Sequence, residues 1–159
     1  MIFVTIGSLL PFDRLIRAVD QAVPQWPGET FRAQIGEGAY EPVNMPFDRM
    51  LSAKTFGEAV RGSRLIVAHA GMGSLISAAE AARPIVVMPR RLAFDEISTD
   101  HQVATAKRMS ERPGLYLAMD ESELAGAITR ALADSANGEM LASRAPEAFL
   151  QRIRDFIHE

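Results

Sequence analysis

The feature that most constrains the fold is a repeated alternation between short apolar runs and longer stretches with helical periodicity. Three runs, at residues 2–6, 65–68 and Ile85–Met88, consist almost entirely of apolar side chains, many of them β-branched. Such runs are typical of strands that are covered on both faces of a parallel sheet. Because helical stretches separate them, the sequence predicts an α/β layer fold, a parallel sheet flanked by helices.

The pattern between and after these runs predicts the remaining elements. A helix begins near Pro11 and ends at Pro24, and another ends before Pro84, since proline disrupts a helix interior. The other predicted elements are strands over residues 31–35 and 115–119, a strand near Val43, and helices over residues 48–60, 74–82, 100–110, 121–133 and 146–157.

Length and composition exclude several classes of protein. A chain of 159 residues that is 48% hydrophobic and 23% charged is expected to form one globular domain over residues 1–159. A net charge of −3 weakens the case for nucleic acid as a partner. The absence of cysteine excludes disulfides, thiolate metal sites and a cysteine nucleophile. The longest uncharged stretch, 65–79, falls short of the ~20 apolar residues of a membrane span, and no charged segment precedes the apolar N-terminus, so we expect a cytoplasmic protein.

The segment His-Ala-Gly-Met-Gly-Ser at residues 69–74 follows one strand and opens a helix. Unpartnered backbone N–H groups and the positive end of the helix dipole make such a turn attractive to phosphate. Gly71 and Gly73 would let a ligand approach the backbone, and Ser74 would offer its hydroxyl. On the alternative interpretation the glycines only make a tight turn and Ser74 only caps the helix. The segment matches neither the P-loop nor the dinucleotide fingerprint.

A second polar cluster follows the strand Ile85–Met88. Asp100, His101 and Gln102 combine a carboxylate, an imidazole and an amide, a set suited to sugar hydroxyls. Loops at the carboxyl ends of neighbouring parallel strands line one crevice, so this cluster is expected to face residues 69–74. Asp100 alone is equally explained as an acid at a helix start. The nearby pair Arg90 and Arg91 would bind phosphate or, more commonly, remain solvated.

A third turn on the same edge is Gly7-Ser8, after the first strand, although an ordinary turn explains it when it is taken singly. His69 has its own alternative, a histidine at a strand end bonded to a nearby carbonyl. Asp13 is the one acid near this edge that offers itself as a catalytic base, and its position at a helix start explains it without catalysis.

The order of these motifs resembles the C-terminal, donor-binding domain of glycosyltransferase family 28. The matching segments are residues 1–8 and 11–16 (MIFVTIGS and PFDRLI), 67–91 (VAHAGMGSLISAAEAARPIVVMPRR) and 100–106 (DHQVATA), so that the resemblance covers essentially the whole chain. Within the family the chain is similar to the catalytic subunits of split, two-subunit transferases. These include the enzymes that add the second N-acetylglucosamine to dolichol diphosphate and bacterial relatives in exopolysaccharide assembly.

The resemblance implies a Rossmann-like domain that forms the C-terminal half of a GT-B fold. It implies a UDP-sugar as donor substrate, inverting transfer, and no cofactor or metal. It also implies a membrane-anchored acceptor-binding subunit as partner, a lipid-linked saccharide as acceptor, and a location peripheral to the membrane through that partner. The alternative is a non-catalytic, degenerate donor domain that serves as an interaction partner in a glycan-assembly complex.

The resemblance also assigns roles to individual residues. His69 corresponds to the histidine that contacts the diphosphate, and we take it as the catalytic candidate. Gly71, Met72, Gly73 and Ser74 would cradle the diphosphate, Gly7 and Ser8 would border the donor crevice, and Asp100, His101 and Gln102 would touch sugar hydroxyls.

The sequence departs from the family pattern in two places. Many relatives hold the ribose with a glutamate at the position of Ser77, and Glu80 lies about one helical turn further on. Either Ser77 makes a weaker bond, or Glu80 substitutes with altered geometry, or Glu80 is a solvated helix charge. Residues 94–97, Phe-Asp-Glu-Ile, replace a Gly-Glu-His pattern of bacterial relatives, which affects the donor sugar if this region contacts it.

Overall fold

The computed structural model of the chain describes residues 1–135 and 141, so the helix expected at 146–157 lies outside the described residues. The described part is a parallel sheet with helices on both faces, as the alternating pattern predicts. Its strands are β1 (Ile2–Thr5), β2 (Phe31–Gln34), β3 (Phe47–Asp48), β4 (Leu65–His69), β5 (Ile85–Met88) and β6 (Leu115–Leu117). Its helices are α1 (Asp13–Ala22), α2 (Ala53–Gly62), α3 (Met72–Glu80), α4 (His101–Met109) and α5 (Glu121–Ser135).

All six strands are parallel, in the order β3-β2-β1-β4-β5-β6. The chain moves outward from β1 to β3, then returns to the other side of β1 and moves outward again from β4 to β6. β1 and β4 are therefore the neighbours at which the direction of winding reverses. In open α/β sheets the loops diverge beyond the carboxyl ends of such a pair and leave a crevice for ligands.

The core consists of two apolar layers, because successive side chains on each strand point to opposite faces of the sheet. On β1, Ile2 and Val4 belong to the layer beneath α1 and α5, while Phe3 belongs to the layer beneath α2, α3 and α4. The same alternation holds on β4 and β5. All four residues of β5 are completely buried, which explains why this strand reads as an uninterrupted apolar run.

The strand expected near Val43 is instead β3, at Phe47–Asp48, and Val43 is 84% exposed. The reason is Asp20, a fully buried acid on α1. Its carboxylate accepts hydrogen bonds from the backbone N–H groups of Val43 (3.1 Å) and Asn44 (2.7 Å), and from the hydroxyl of Tyr40 (2.8 Å). Amides held by a helix side chain cannot pair with β2, so the edge strand forms only after this segment.

The second helix begins at Ala53 rather than at residue 48. Asp48 is part of β3, and its backbone carbonyl accepts a hydrogen bond from the Ile35 N–H at 3.0 Å. Ser52 then caps the helix, with its side chain accepting a bond from the Thr55 N–H at 3.1 Å. The later start places residues 50–53 at the carboxyl edge of the sheet.

None of the helices in the described part of the chain has both the length and the apolar character needed to cross a bilayer. The longest of them, α5, has 15 residues and carries two acids in its first turn.

The Asp20 network generates a prediction about stability. Replacing Asp20 with alanine leaves two backbone N–H groups and one hydroxyl without their acceptor, and we expect a loss of about 3 kcal/mol in the free energy of unfolding. Tyr40→Phe removes only one of these hydrogen bonds and is expected to cost about 1 kcal/mol. Urea unfolding followed by circular dichroism measures both values. Equal losses in the two variants would contradict the network as described.

Candidate functional site

A cleft of about 840 Å³ opens beyond the carboxyl ends of β1 and β4, at the reversal point of the sheet. Four segments line it: the turn after β1, the turn after β4, the stretch that leads into α2, and the loop that leads into α4. The predicted site residues that line it are Gly7, Ser8, His69, Gly71, Met72, Gly73, Ser74, Ser77, His101 and Gln102. The topology therefore brings together all of the predicted residues except Glu80 and Asp100.

The start of α3 presents backbone donors to this cleft. Gly71 is the residue that precedes the helix, its conformation is extended, and no side chain caps the helix. The N–H groups of Ser74 and Leu75 both donate to the Gly71 carbonyl, whereas those of Met72 and Gly73 donate to no acceptor within the described residues. Ser74 is consequently not the cap that the alternative interpretation proposed.

Gly73 adds open space to these donors. Apart from the two chain neighbours and the backbone of α3 itself, a side-chain carbon built at this position would meet no atom within 4 Å. The turn thus combines uncommitted amides, the positive end of a helix dipole and an unobstructed approach.

The imidazole of His69 lies between two glycines. A side-chain carbon at Gly7 would lie 2.8 Å from His69 Cε1, and one at Gly71 would overlap His69 Nε2. Gly7 also has a φ of +80°, which favours glycine independently. At Gly71 it is the close approach of the ring alone that requires a glycine. Both turns are therefore shaped around this ring.

His69 is held in its neutral form. Burial, assisted by the positive charge of Arg90, lowers its pKa from 6.5 to about 4. Its Nδ1 atom lies 3.4 Å from the Ser74 hydroxyl, and no bond to a carbonyl, the alternative considered above, is present among the described residues. A neutral imidazole carries one N–H donor and one acceptor, so at pH 7 His69 can donate a hydrogen bond without adding charge.

Arg90 is buried on the lining of the cleft, which corrects the interpretation that it remains solvated, whereas Arg91 donates to the Met119 carbonyl and does not line the cleft. The Arg90 guanidinium is buried and donates to the backbone carbonyls of Ile6 (2.9 Å), Leu10 and Pro11 (3.4 Å). It also lies over the Phe12 ring, 5.0 Å from its centre. Burial lowers the pKa of Arg90 to about 10, which leaves it charged at neutral pH. Its role in this structure is to hold the loop between β1 and α1.

Gln102 is oriented by the same residue. It is 4% exposed, and its Oε1 accepts a hydrogen bond from the Arg90 backbone N–H at 3.1 Å. Because the oxygen is committed, the amide NH₂ group remains as a donor on the lining of the cleft. The His101 imidazole also lines the cleft, 2.6 Å from the Thr99 hydroxyl through its Nδ1.

The two remaining predicted residues lie elsewhere. Asp100 is not part of the lining, because its carboxylate accepts a bond from the Leu92 N–H at 2.9 Å and so belongs to the preceding loop. It does not cap α4 with its side chain either. Glu80 lines a separate, small pocket of about 160 Å³ between α2 and α3, which Ser77 also borders. Of the two candidates for the ribose, only Ser77 faces the main cleft.

Asp13 and Gln34 have structural roles. The Asp13 carboxylate accepts bonds from the N–H groups of Ala39 (3.0 Å) and Tyr40 (3.2 Å), which explains this acid without catalysis. Gln34, which the sequence analysis missed, is 3% exposed. It donates to the Gly7 carbonyl at 3.1 Å and accepts from the Leu51 N–H at 3.2 Å. The signal in the sequence that could have revealed it is a polar amide side chain near the carboxyl end of a predicted strand.

The cleft has an apolar mouth and an apolar flank. Four exposed side chains surround the mouth: Leu9 (91% exposed), Leu10 (44%), Met50 (51%) and Met72 (54%). On the side of α2 the wall is formed by Leu51, Ala53 and Phe56, while Ser98, His101 and Gln102 provide polar groups on the side of α4. Exposed apolar side chains gathered around one opening mark an interaction surface or a ligand site.

Within residues 1–135 and 141, no group of three or more histidine or acidic side chains is arranged to hold a metal ion. The expectation that the reaction requires neither metal nor cofactor stays a prediction.

Comparison with known proteins places this fold and cleft in a family. The profile of the "Glycosyltransferase family 28 C-terminal domain" matches residues 1–159. No curated protein matches the chain. Solved structures that resemble it include CalG4, the calicheamicin glycosyltransferase (18% identity, TM-score 0.61), MurG of Acinetobacter baumannii (21%, 0.60) and ALG13 (18%, 0.58). At these identities the likeness concerns the fold.

The extent of the matches differs between these proteins. The similarity covers 86% of this chain but only 36% of the CalG4 chain and 44% of the MurG chain. With ALG13 it covers 96% of this chain and 93% of the other. The chain thus spans less than half of two of these glycosyltransferases and nearly the whole of a third solved chain.

The environment of His69 predicts its titration. We expect the His69 Hε1 signal in NMR spectra to titrate with a midpoint near pH 4, because burial disfavours the imidazolium. The unfolded chain binds this proton near pH 6.5, so lowering the pH from 6.5 to 4 favours unfolding. The free energy of unfolding should therefore fall more steeply in this window for the parental chain than for His69→Gln. A midpoint near 6.5 would contradict the buried, neutral ring.

Proposed function

Because the chain belongs to glycosyltransferase family 28, as a C-terminal, donor-binding domain, we propose that it is the UDP-sugar-binding, catalytic subunit of a two-subunit inverting transferase. The observation that carries this proposal is the start of α3. There the Met72 and Gly73 amides have no acceptor within the described residues, and a side-chain carbon built at Gly73 would meet open space at the positive end of a helix dipole. Backbone donors of this kind bind phosphate oxygens without a lysine or arginine. The diphosphate of the donor occupies this position.

The chemistry of the two flanks of the cleft supports one orientation of the donor. With its diphosphate on the start of α3, one half of the ligand extends toward the apolar wall of Leu51 and Phe56, and the other toward His101 and Gln102. An aromatic and aliphatic wall suits a nucleobase, and hydrogen-bonding side chains suit sugar hydroxyls. The nucleoside therefore lies on the side of α2 and the sugar on the side of α4, with Ser77 beside the ribose.

In the proposed reaction an acceptor hydroxyl attacks the anomeric carbon of the sugar. The bond from that carbon to the diphosphate breaks, the electron pair leaves with UDP, and the hydroxyl proton passes to a base. Negative charge develops on the diphosphate, where the α3 amides and the N–H of a neutral His69 stabilise it. His69 is therefore assigned to the leaving group.

The base comes from a second subunit in this proposal. The described residues that line the cleft include neither aspartate nor glutamate, and the Asp13 carboxylate is engaged by two backbone N–H groups. A second subunit is also what the resemblance to split, two-subunit transferases implies.

The apolar mouth provides a contact surface for that subunit. Leu9, Met50 and Met72 would be covered when an opposing half closes over the donor. Following the family resemblance, the partner is membrane-anchored and presents a lipid-linked saccharide. The product serves polysaccharide or glycolipid assembly, and the chain is cytoplasmic and peripheral to the membrane through its partner. The proposal also includes the class of sugar transferred, which is a hexose or an N-acetylhexosamine.

The presence of Ser77 rather than glutamate on the cleft wall favours a second candidate, a degenerate donor domain that only scaffolds a glycan-assembly complex. Nucleotide binding separates the two candidates. A donor-binding subunit binds UDP in calorimetric titrations of the isolated chain or of its complex, and a degenerate domain binds UDP in neither.

The test at the site itself is Gly73→Val. Because a side chain at this position meets nothing within 4 Å, the variant is expected to fold while its isopropyl group fills the space for the diphosphate. We expect the affinity for UDP, measured by isothermal titration calorimetry, to fall at least tenfold, with no loss in the free energy of unfolding.

Gly28→Val is the matched control. A side chain at Gly28 also meets nothing within 4 Å, and this residue does not line the cleft, so UDP binding should be unchanged. Parental affinity in Gly73→Val would show that the diphosphate does not rest on the start of α3.

A further inference from the structure

The loop between β5 and α4 forms the polar flank of the cleft, and contacts with α1 hold it on the side away from the cleft. This loop contributes Ile97 and Ser98 to the lining and leads directly into His101 and Gln102. Between β5 and Ile97 the chain makes one 3-10 turn, Leu92–Phe94, followed by Asp95 in the left-handed conformation (φ 54°). This reversal turns Glu96 away from solvent toward α1. The position of the polar flank therefore depends on what Glu96 binds.

Glu96 binds Arg14 of α1 through two parallel hydrogen bonds. Arg14 Nε lies 2.6 Å from Glu96 Oε1, and Arg14 Nη2 lies 2.8 Å from Glu96 Oε2. The same carboxylate also accepts the Arg91 N–H at 2.9 Å, which closes the loop on itself. A planar guanidinium paired in this way fixes distance and orientation together, which a single point charge does not.

Arg14 is anchored on all sides. It donates to the Pro89 carbonyl at 3.0 Å and to the Glu121 carboxylate at 3.1 Å. Its guanidinium also lies over the Phe12 and Phe94 rings, 5.3 and 4.8 Å from their centres. The pair thus connects α1, the end of β5 and the start of α5 to the loop.

Burial distinguishes this pair from the other ion pairs of the described chain. The side chains of Arg14 and Glu96 are 13% and 11% exposed, whereas the pairs Arg32–Asp48, Arg49–Glu41 and Arg64–Glu29 each include a side chain that is at least 36% exposed. An ion pair that is largely out of water gains little stability over a well-packed apolar pair, whereas the two parallel bonds between arginine and a carboxylate add geometric specificity. Such a pair behind the flank of a ligand cleft is therefore better explained by positioning than by stability.

We propose that the Arg14–Glu96 pair is a positioning device for the glycosyl half of the donor. It sets Ser98, His101 and Gln102 at the distance at which they contact the sugar, and so contributes to the choice of sugar. Neither residue touches the ligand: both act through the loop. The inference rests on the proposed function, because it assigns the polar flank to the sugar and the start of α3 to the diphosphate.

The test separates the sugar from the nucleotide. Calorimetry measures the affinity of the parental chain, Glu96→Gln, Arg14→Gln and the double variant for UDP, UDP-glucose, UDP-galactose and UDP-N-acetylglucosamine. Each single variant should bind the sugar nucleotide preferred by the parent at least fivefold more weakly, while its affinity for UDP changes less than twofold. The double variant should be no weaker than the weaker single variant, since both changes break one interaction.

Glu29→Gln is the matched control. It breaks the Arg64–Glu29 pair, which lies at the amino end of β4, the opposite edge of the sheet, and it should alter neither affinity. Circular dichroism confirms folding. If Arg14→Gln fails to fold, Arg14→Lys replaces it. Lysine keeps the positive charge but cannot form the two parallel hydrogen bonds, so this variant should show the same selective loss of affinity for the sugar nucleotide.

Equal weakening toward UDP and the sugar nucleotides, or no weakening toward either, would overturn the positioning role while leaving the donor site in place. Failure of both the parental chain and its complex with the partner subunit to bind any of the four compounds would instead refute the proposed function, and the inference with it.

Discussion

The position of the His69 imidazole is the constraint on which the site depends. The ring occupies the gap between the turns that follow β1 and β4, and each turn contributes a glycine where a side-chain carbon would collide with it. A larger residue at either place would displace the ring or separate the two strand ends. Because β1 and β4 are the strands at which the sheet reverses, the same contact fixes the width of the cleft.

Buried polar side chains then fix the loops around this centre. Arg90 links the end of β5 to the loop after β1 by binding three of its carbonyls, and Gln34 links the end of β2 to Gly7 and to the stretch before α2. Each is almost completely buried, and each bonds to backbone rather than to another side chain. Such bonds hold a loop in one conformation, and a site built this way is preorganised for its ligand.

The elements that the sequence predicts well are those whose local pattern agrees with their final environment. The β-branched runs at β1, β4 and β5 are buried on both faces, and Gly71 lies in the expected turn, whereas Gly73 already belongs to the first turn of α3. The predictions are wrong where a side chain that is distant in sequence determines the local backbone structure. Asp20 captures the amides of Val43 and Asn44, and no periodicity in that segment reveals an acid 23 residues earlier in the chain.

Arg90 illustrates the same limit at the site. Two adjacent arginines after a strand give the same sequence pattern whether they are solvated, bind phosphate or bind carbonyls. Only the tertiary structure, which places the guanidinium among the carbonyls of Ile6, Leu10 and Pro11, distinguishes these cases. Glu80 and Ser77 differ in a similar way: both lie on one face of α3 and border the pocket between α2 and α3, but only Ser77, about one turn nearer the start of the helix, also reaches the cleft.

These assignments together bear on how the cleft would attract the diphosphate of the proposed donor. Among the described residues that line it there is no carboxylate, His69 is neutral at pH 7, and Arg90 keeps its positive charge while it donates to carbonyls. In the proposed function, the backbone dipoles at the start of α3 and the charge of Arg90 therefore act together on the phosphate. Dipoles act over a short range and in one direction, so such a site favours an anion whose oxygens fit the turn over anions in general. A diphosphate that bridges the amides and the neutral imidazole meets that requirement, and the developing charge of a departing UDP would meet it better than the intact donor.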